Sequence, residues 1–158
     1  MRWFLIDRVT DIVAGERASA VKNVTLGDEI LHDHFPDFPV MPGVLIVEAA
    51  AQLGGFLLEQ TVNKAGAPPL RAVLVQIEQA KFYEPARPGD RLELTAELES
   101  RLPSAARVAV DVRVDARRVA RATLTFMLRE VESERVHEQR RYLYRLWTSA
   151  LTPPPTIF

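Results

Sequence analysis

The sequence predicts an α+β fold in which one buried helix is wrapped by an antiparallel sheet. The helix is indicated by residues 43–58, which are apolar on nearly every side, as is typical of a helix surrounded by protein. The sheet is indicated by four later segments in which apolar and polar residues alternate with a period of two. Such alternation leaves one face of a sheet apolar, so that this face can cover the helix.

The elements before this helix are shorter and less regular. Residues 3–13 alternate loosely and predict a strand or a short helix, and 14–16 form a turn before a second strand over 18–26. Residues 32–42 contain three prolines, each of which fixes φ and removes a backbone donor. This segment is therefore expected to be stiff, extended and outside any strand ladder.

The buried helix is predicted to begin at Pro42-Gly43, because proline suits a first helical turn in which its missing N–H is not needed. It is expected to end near Asn63, before a segment that contains glycine and two prolines. The four strands that follow should form an antiparallel meander joined by turns. They are predicted at 72–82, 90–100, 107–115 and 118–129.

The last part of the chain predicts a second helix over 132–150 and a tail that is too rich in proline to continue it. Its narrow apolar stripe is surrounded by charge, which is typical of a surface or interface helix. Three arginines on this helix form either a solvated face or a landing site for an acidic partner. The stripe consists of Ser133, Val136, Leu143, Trp147 and Ala150, and the arginines are Arg140, Arg141 and Arg145.

The composition excludes several classes of function. The 20 Lys and Arg residues and 21 Asp and Glu residues give a formal net charge of −1, which argues against a nucleic-acid-binding protein. The absence of cysteine excludes disulfides, a thiol nucleophile and thiolate metal sites. Charged or polar residues interrupt the apolar runs at 3–13 and 40–58, so neither a signal peptide nor a membrane span is expected. A cytoplasmic location is the default expectation.

Glu48 is the most unusual residue of the predicted buried helix, because a glutamate is rarely buried unless it is paired or functional. Gln52 lies four residues later and therefore shares its helix face. Burial disfavours the charged form of a carboxyl, and a carboxyl that holds a proton near neutral pH can act as a general acid. The alternative is a structural carboxylate that reaches water at a helix end or pairs with an arginine.

His34 and Gly43 supply the other groups that proton abstraction next to a carbonyl requires. Histidine is the most frequent general base, and the neighbouring prolines would hold His34 with little conformational freedom. Alternatively, its ring only stacks on Phe35 or Phe38. Gly43 lies where the helix starts, so its N–H is expected to be free to donate to a developing enolate oxygen.

Two other kinds of site are less well supported. His32 and His34 would share one face of a strand, with Asp33 and Asp37 nearby, but two histidines without a third convincing ligand are a weak indication of a metal. A serine hydrolase is weaker still, because the sequence has no G-x-S-x-G motif.

The residues around His34 and Glu48 resemble the motif of the β-hydroxyacyl-[acyl carrier protein] dehydratases of the FabZ type. The similar residues are His34-Phe35-Pro36, the run from Pro39 to Leu45, Glu48-Ala49 and Gln52. The spacing of fourteen residues between His34 and Glu48 matches that of the family's catalytic pair. Segments at 4–9, 20–25 and 81–94 are also similar, so the resemblance covers roughly residues 3 to 129.

This resemblance implies that water is eliminated from a (3R)-3-hydroxyacyl thioester to give the trans-2-enoyl thioester. It implies that His34 takes the C2 proton, that Glu48 of a partner chain protonates the departing hydroxyl, and that the Gly43 amide polarises the thioester carbonyl. The other residues expected to bind substrate on this basis are Gln52, Phe35 and Val44.

The resemblance also implies a hotdog fold over residues 1–130, followed by a C-terminal helical extension and proline-rich tail over 131–158. The implied partners are an acyl carrier protein, whose phosphopantetheine carries the substrate, and a second copy of the chain in a homodimer or a trimer of such dimers. No metal or organic cofactor is expected beyond that prosthetic group. The implied pathway is fatty-acid biosynthesis or a related lipid or polyketide pathway.

The sequence departs from the family pattern at Asp33 and Asp37, where glycine is usual, and in the residues from about 131 onward, which lie beyond the usual end of the family. Two alternatives stay open at this point. The first is a hotdog acyl thioesterase, which shares the fold and the thioester ligand. The second is a non-catalytic acyl-thioester-binding subunit.

Overall fold

A computed structural model describes residues 4–158, which form six strands, two α-helices and one 3₁₀ turn. All neighbouring strands are antiparallel, and they form one sheet in the order β1-β2-β4-β5-β6-β3. The predicted α+β class is therefore confirmed. The elements are β1 (Arg8–Val13), β2 (Arg17–Asn23), a 3₁₀ turn (Glu29–Leu31), α1 (Gly43–Val62), β3 (Leu70–Phe82), β4 (Arg91–Arg101), β5 (Ala105–Val114), β6 (Arg117–Glu130) and α2 (Glu134–Trp147).

Helix α1 is the element that the sheet wraps, and its bounds agree with the prediction to one residue. Most of its side chains from Leu45 onward are buried in one core with the inward residues of the sheet. Small residues allow this close contact: a Cβ at Gly54 would stand 3.2 Å from two atoms of the Phe126 ring. Close packing of the helix on the sheet fixes the direction in which its few polar side chains point.

The order of the strands differs from the expected meander. Strands β4, β5 and β6 do follow one another, but β3 pairs with β6, from Leu70 opposite Glu130 to Phe82 opposite Ala120. The reason is the connection between β3 and β4, which spans 83–90 and is longer than a tight hairpin turn. Strand β3 therefore lies at an edge of the sheet, and its residues from Val75 to Phe82 are exposed.

Two predicted boundaries were also wrong in part. The second strand ends at Asn23, three residues before the expected end, and continues into a turn. The second helix runs only from Glu134 to Trp147, so that Ser133 precedes it and Ala150 follows it. Neither helix within residues 4–158 has the length and apolar character that a membrane span requires.

Helix α2 lies over the side of α1 that the sheet leaves open. Its contact residue Tyr144 was missed by the predicted stripe, yet its ring lies edge-on to Phe56 of α1 with centroids 4.9 Å apart. Trp147 lies 6.2 Å from Phe56 and 5.5 Å from Tyr144, and all three rings are buried. Three mutually packed aromatic rings give α2 a fixed position on α1.

Candidate active site

The segment 32–42 is not extended but folds into a compact turn, which corrects the sequence prediction. The Phe35 and Phe38 main chains donate hydrogen bonds to each other's carbonyl oxygens at 3.0 Å, and the Val40 N–H donates to the His34 carbonyl at 2.8 Å. The Met41 N–H then donates to the carbonyl of Ala86 at 2.8 Å, which ties the segment to the β3–β4 connection. The prolines do remove donors, but the residues between them close the turn.

Asp37 occupies a special backbone position within this turn. Its φ is +61°, in the left-handed region that glycine adopts most easily. Aspartate is one of the few other residues that tolerate this conformation. The aspartate that replaces the family's usual glycine is therefore compatible with the turn, at some cost in backbone strain.

His34 is half-buried at the start of this turn, and its ring lies on the ring of Phe35 with centroids 4.1 Å apart. The peptide bond between these two residues is cis. Phe35 and Phe38 are themselves about half exposed, and the guanidinium of Arg87 lies 4.6 Å from the Phe38 ring centroid. The stacking that was considered as an alternative does occur, and it leaves part of the imidazole accessible.

The start of α1 lies directly after this turn. Gly43 is the first helical residue, as predicted, and no side chain caps the helix at Pro42. The Phe82 ring packs against Gly43 so closely that a Cβ there would stand 2.8 Å from its Cε1 atom. Val44 is 74% exposed. The first amides of α1 thus lie beside an exposed apolar surface, where a carbonyl oxygen can accept a hydrogen bond from them.

Glu48 is only half-buried, which corrects the expectation of a fully buried carboxyl. Gln52 shares its helix face, as predicted, and its Nε2 donates to the Glu48 Oε1 at 3.0 Å. The Gln52 Oε1 accepts a hydrogen bond of 3.1 Å from the Leu5 main chain. Because the amide is fixed at both ends, Gln52 holds the Glu48 carboxylate in one orientation.

The Glu48 carboxylate lines a cavity of about 860 Å³ that lies between α1, β3 and α2. His34 is not part of the lining, and no hydrogen bond or ion pair within residues 4–158 joins it to Glu48. The structure therefore places Glu48 with Gln52, and His34 with Phe35, in separate parts of one chain. Gly43 and Val44 lie between them along the sequence, at the start of α1.

The fully buried carboxylate of α1 is Glu59, which the sequence analysis missed. Its Oε2 accepts a hydrogen bond of 2.8 Å from Nη1 of Arg71 on β3, and its Oε1 accepts one of 3.0 Å from the Ala72 main chain. The side chains of Glu59 and Arg71 are 1% and 3% exposed. Opposite charges at inward positions of an apolar helix and the following strand were the available sign of such a pair.

Arg71 also joins the C-terminal part of the chain to the core. Its Nε donates to Nδ1 of His137 at 3.0 Å, and its Nη2 donates to the main-chain oxygen of Phe158 at 3.2 Å. The other ring nitrogen of His137 lies 2.8 Å from the Val131 carbonyl. In these contacts Nδ1 of His137 is the acceptor and Nε2 is the donor, so the ring connects Arg71 to the Val131 main chain.

The Tyr144 hydroxyl is buried beside Glu59, and no group among the described residues lies in ideal hydrogen-bond geometry to it. Burial raises the pKa of Tyr144 well above its ordinary range, and the negative charge of Glu59 raises it further.

The arginines that were predicted to form one cluster on α2 have different partners. Arg140 Nε lies 4.0 Å from Glu59 Oε1, whereas Arg141 pairs with Glu134 and holds the pKa of that carboxyl below its usual value.

The metal alternative gains no support from the described residues. Among residues 4–158, no three His, Cys, Asp or Glu side chains are grouped so that they could hold a metal ion. His32, the second histidine of that alternative, is exposed.

Comparisons with known proteins show which family this chain is similar to. The family model described as a FabA-like domain matches residues 2–123. The 3-hydroxyacyl-[acyl-carrier-protein] dehydratase FabZ of Bacillus velezensis is 38% identical over 128 residues, which cover 81% of this chain and 89% of that protein. The corresponding protein of Ligilactobacillus salivarius is 42% identical over 124 residues, covering 78% of this chain and 86% of the relative.

Solved structures show the same fold at lower sequence identity. The Streptococcus mutans protein smu.793, bound to acetyl CoA, has a TM-score of 0.65 at 19% identity, over 84% of this chain and 96% of that one. A putative thioesterase from Ralstonia eutropha has a TM-score of 0.61 at 22% identity, over 75% and 82% of the two chains. The expected hotdog fold is thus confirmed, and helix α2 lies outside the residues that the family model matches.

Proposed function

This chain belongs to the FabA-like domain family, and from that membership we propose that it is a 3-hydroxyacyl-[acyl-carrier-protein] dehydratase of fatty-acid biosynthesis or a related pathway. The reaction breaks the C2–H and C3–O bonds of a (3R)-3-hydroxyacyl thioester and forms the C2=C3 double bond. The base takes the C2 proton, and the hydroxyl group takes a proton from the acid and leaves as water. Return of one proton from the base to the acid completes the cycle. A base at C2, an acid at the C3 hydroxyl and a donor to the thioester carbonyl are the groups that this step requires.

The roles proposed for the site residues follow from their positions. His34 removes the C2 proton with the accessible part of its ring. Glu48, held by Gln52 at the mouth of the cavity, gives a proton to the departing hydroxyl. The uncapped N–H of Gly43 donates a hydrogen bond to the thioester oxygen as negative charge develops there, because the helix N-terminus favours an anion. The exposed side chains of Phe35 and Val44 cover the substrate beside these groups.

We propose that each site combines two copies of the chain. The observation that carries this is the separation of His34 from the cavity that Glu48 lines. The edge strand β3 offers the surface for pairing, since Val73, Val75 and Ile77 are each about half exposed along it. A long apolar edge strand of this kind is normally covered by another chain. The simplest assembly is a homodimer, and a trimer of such dimers would keep the same site.

The substrate in this proposal arrives on the phosphopantetheine of an acyl carrier protein. No metal or other cofactor takes part in this proposal, because the histidine supplies the base, the carboxyl group supplies the acid and the helix amide supplies the carbonyl donor. We also propose that residues 1–130 form the dehydratase domain and that 131–158 form an extension to it. The divided arginine cluster of α2 leaves only Arg145 without a described acidic partner, so it offers little surface to the carrier.

The roles of His34 and Glu48 are tested by His34→Ala and Glu48→Gln, with His32→Ala as a matched control on an exposed histidine two residues away. Each site variant should lower kcat/KM for a 3-hydroxyacyl carrier thioester by at least about a hundredfold, the usual contribution of a general acid or base. The control should stay within about twofold of the unchanged protein. A loss below tenfold in both site variants would contradict the roles, and release of free thiol would show a thioesterase instead.

The two-copy site is tested by mixing the His34→Ala and Glu48→Gln chains and allowing them to exchange. A mixed dimer then contains one site with both functional groups, so activity should return to roughly a quarter of the unchanged level. If both groups act within one chain, the mixture stays inactive. The exchange itself is checked by mass spectrometry of the intact dimers.

A further inference from the structure

The cavity at Glu48 is enclosed in part by helix α2. Its floor follows one face of α1 through Ala51, Gln52 and Gly55 and continues onto Ala72 and Leu74 of β3. Apart from Gln52, whose amide is hydrogen-bonded to Glu48 and to the Leu5 main chain, these residues are small or apolar, as a channel for an alkyl chain requires. The opposite wall is supplied by α2, and its buried or half-buried lining residues are Val136, Arg140, Leu143 and Trp147.

The more exposed lining residues of α2 lie at the rim. Arg135, Gln139 and Tyr142 also contact the cavity, but each is exposed to solvent. Polar groups that stay exposed keep their hydrogen bonds to water when an apolar chain fills the space beneath them. The wall is therefore apolar at Val136 and Leu143, whereas the polar lining residues of α2 lie at the rim or, for Arg140, beside the buried Glu59.

Helix α2 is held firmly enough to act as a wall. The ring cluster of Phe56, Tyr144 and Trp147 fixes its C-terminal half on α1. The hydrogen bond from Arg71 to His137 fixes its N-terminal half, and Arg71 is itself paired with the buried Glu59. A helix that is attached at both ends to the core does not yield easily to a longer ligand.

We propose that α2 closes the acyl-binding part of this cavity, and that Val136 and Leu143 determine the longest acyl chain that the site accepts. This inference rests on the proposed dehydratase function, because it assumes that the reacting carbons lie at Glu48. From Glu48 to Gly55 the floor follows seven residues of α1, which is about 10 Å at a rise of 1.5 Å per residue. That depth suits acyl chains of medium length.

The experiment compares kcat/KM for 3-hydroxyacyl groups of 4 to 16 carbons (a chosen panel) on one carrier protein. Leu143→Ala enlarges the cavity and should raise the ratio of kcat/KM for long over four-carbon chains by about tenfold. Leu146→Ala is the matched control, because Leu146 lies on the same helix, is 51% exposed and does not line this cavity. Val136→Phe fills the cavity and should lower the same ratio by about tenfold.

The ratio between two chain lengths does not depend on how much of a variant is folded, so a loss of stability in Leu143→Ala does not affect the result. Equal ratios for Leu143→Ala and Leu146→Ala, or an unchanged ratio in Val136→Phe, would overturn the inference. If the unchanged protein dehydrates none of the chains, the proposed function itself fails. If it dehydrates all of them with equal efficiency, the function stands and only the role of α2 is refuted.

Discussion

Replacement of Arg71 by leucine is expected to lower the free energy of unfolding by about 3–5 kcal/mol, because it leaves the Glu59 carboxylate buried without its partner. The two side chains are 3% and 1% exposed, and 2.8 Å separates the hydrogen-bonded atoms. Glu59 would keep only the Ala72 N–H at 3.0 Å and the Arg140 guanidinium at 4.0 Å. Neither contact replaces a direct charge-assisted hydrogen bond in the interior.

The double variant Glu59→Leu with Arg71→Leu distinguishes a coupled pair from two independent residues. Both charges are then absent, and the remaining penalties are the Ala72 N–H, which loses its acceptor, and the His137 Nδ1 and Phe158 oxygen atoms, which lose their donor. The double variant should therefore lose about 2 kcal/mol, less than either single variant. As a control, Arg107→Leu breaks the partly exposed pair with Glu78 and should change the free energy of unfolding by less than about 1 kcal/mol.

The assay is urea unfolding followed by circular dichroism, at one protein concentration, because association of the folded chain shifts its apparent stability. Each single variant should also lower the melting temperature by roughly 6–20 °C, at about 2–4 °C per kcal/mol for a chain of this size. If the loss in the double variant equals the sum of the two single losses, Glu59 and Arg71 are not coupled. The account of the buried pair is then refuted.

Three further predictions concern single residues. Tyr144→Phe removes a buried hydroxyl that lies beside Glu59, and at neutral pH it should change the free energy of unfolding by no more than about 1 kcal/mol. Because the pKa of Tyr144 is raised by folding, the unchanged protein should lose up to about 1.4 kcal/mol per pH unit above pH 10 relative to Tyr144→Phe, and equal alkaline melting curves would contradict this. Asp37→Gly should be neutral or stabilising by about 1 kcal/mol in urea unfolding, whereas Asp33→Gly, which has no positive φ to relieve, should not stabilise. Val75→Lys on the exposed edge of β3 should shift the assembly toward single chains in analytical ultracentrifugation, and an unchanged mass would show that this edge is not the interface.

Much of the local structure could be predicted because it depends on signals within a few residues. Helix α1 starts at Gly43 after a proline, and the four long strands lie where a period of two runs through the sequence. The motif from His34 to Gln52 was visible for the same reason, since its residue types and spacing are local. The Gln52–Glu48 hydrogen bond follows directly from their separation of four residues on a helix.

The degree of burial of the two glutamates of α1 was not predicted, because the pattern along the helix does not show which parts of the chain pack beside each of them. Glu59 is buried because Arg71 of β3 and the Arg140 side chain of α2 approach it from distant parts of the sequence. Glu48 is half-buried because it faces a cavity instead of a packed surface. The periodicity of the sequence shows which residues share a helix face. Which parts of the chain pack against that face depends on how the elements are connected.

By itself, the sequence determined the class of fold, the central helix, the strands and the candidate groups for proton transfer, because periodicity, helix starts and motif spacing are properties of short segments. Tertiary structure alone decided that β3 pairs with β6 and that α2 covers the cavity that Glu48 lines. Each of these depends on where a loop or a distant element returns to the core. The position to which a distant element returns depends on the packing of the whole domain, so no single segment of the sequence shows it.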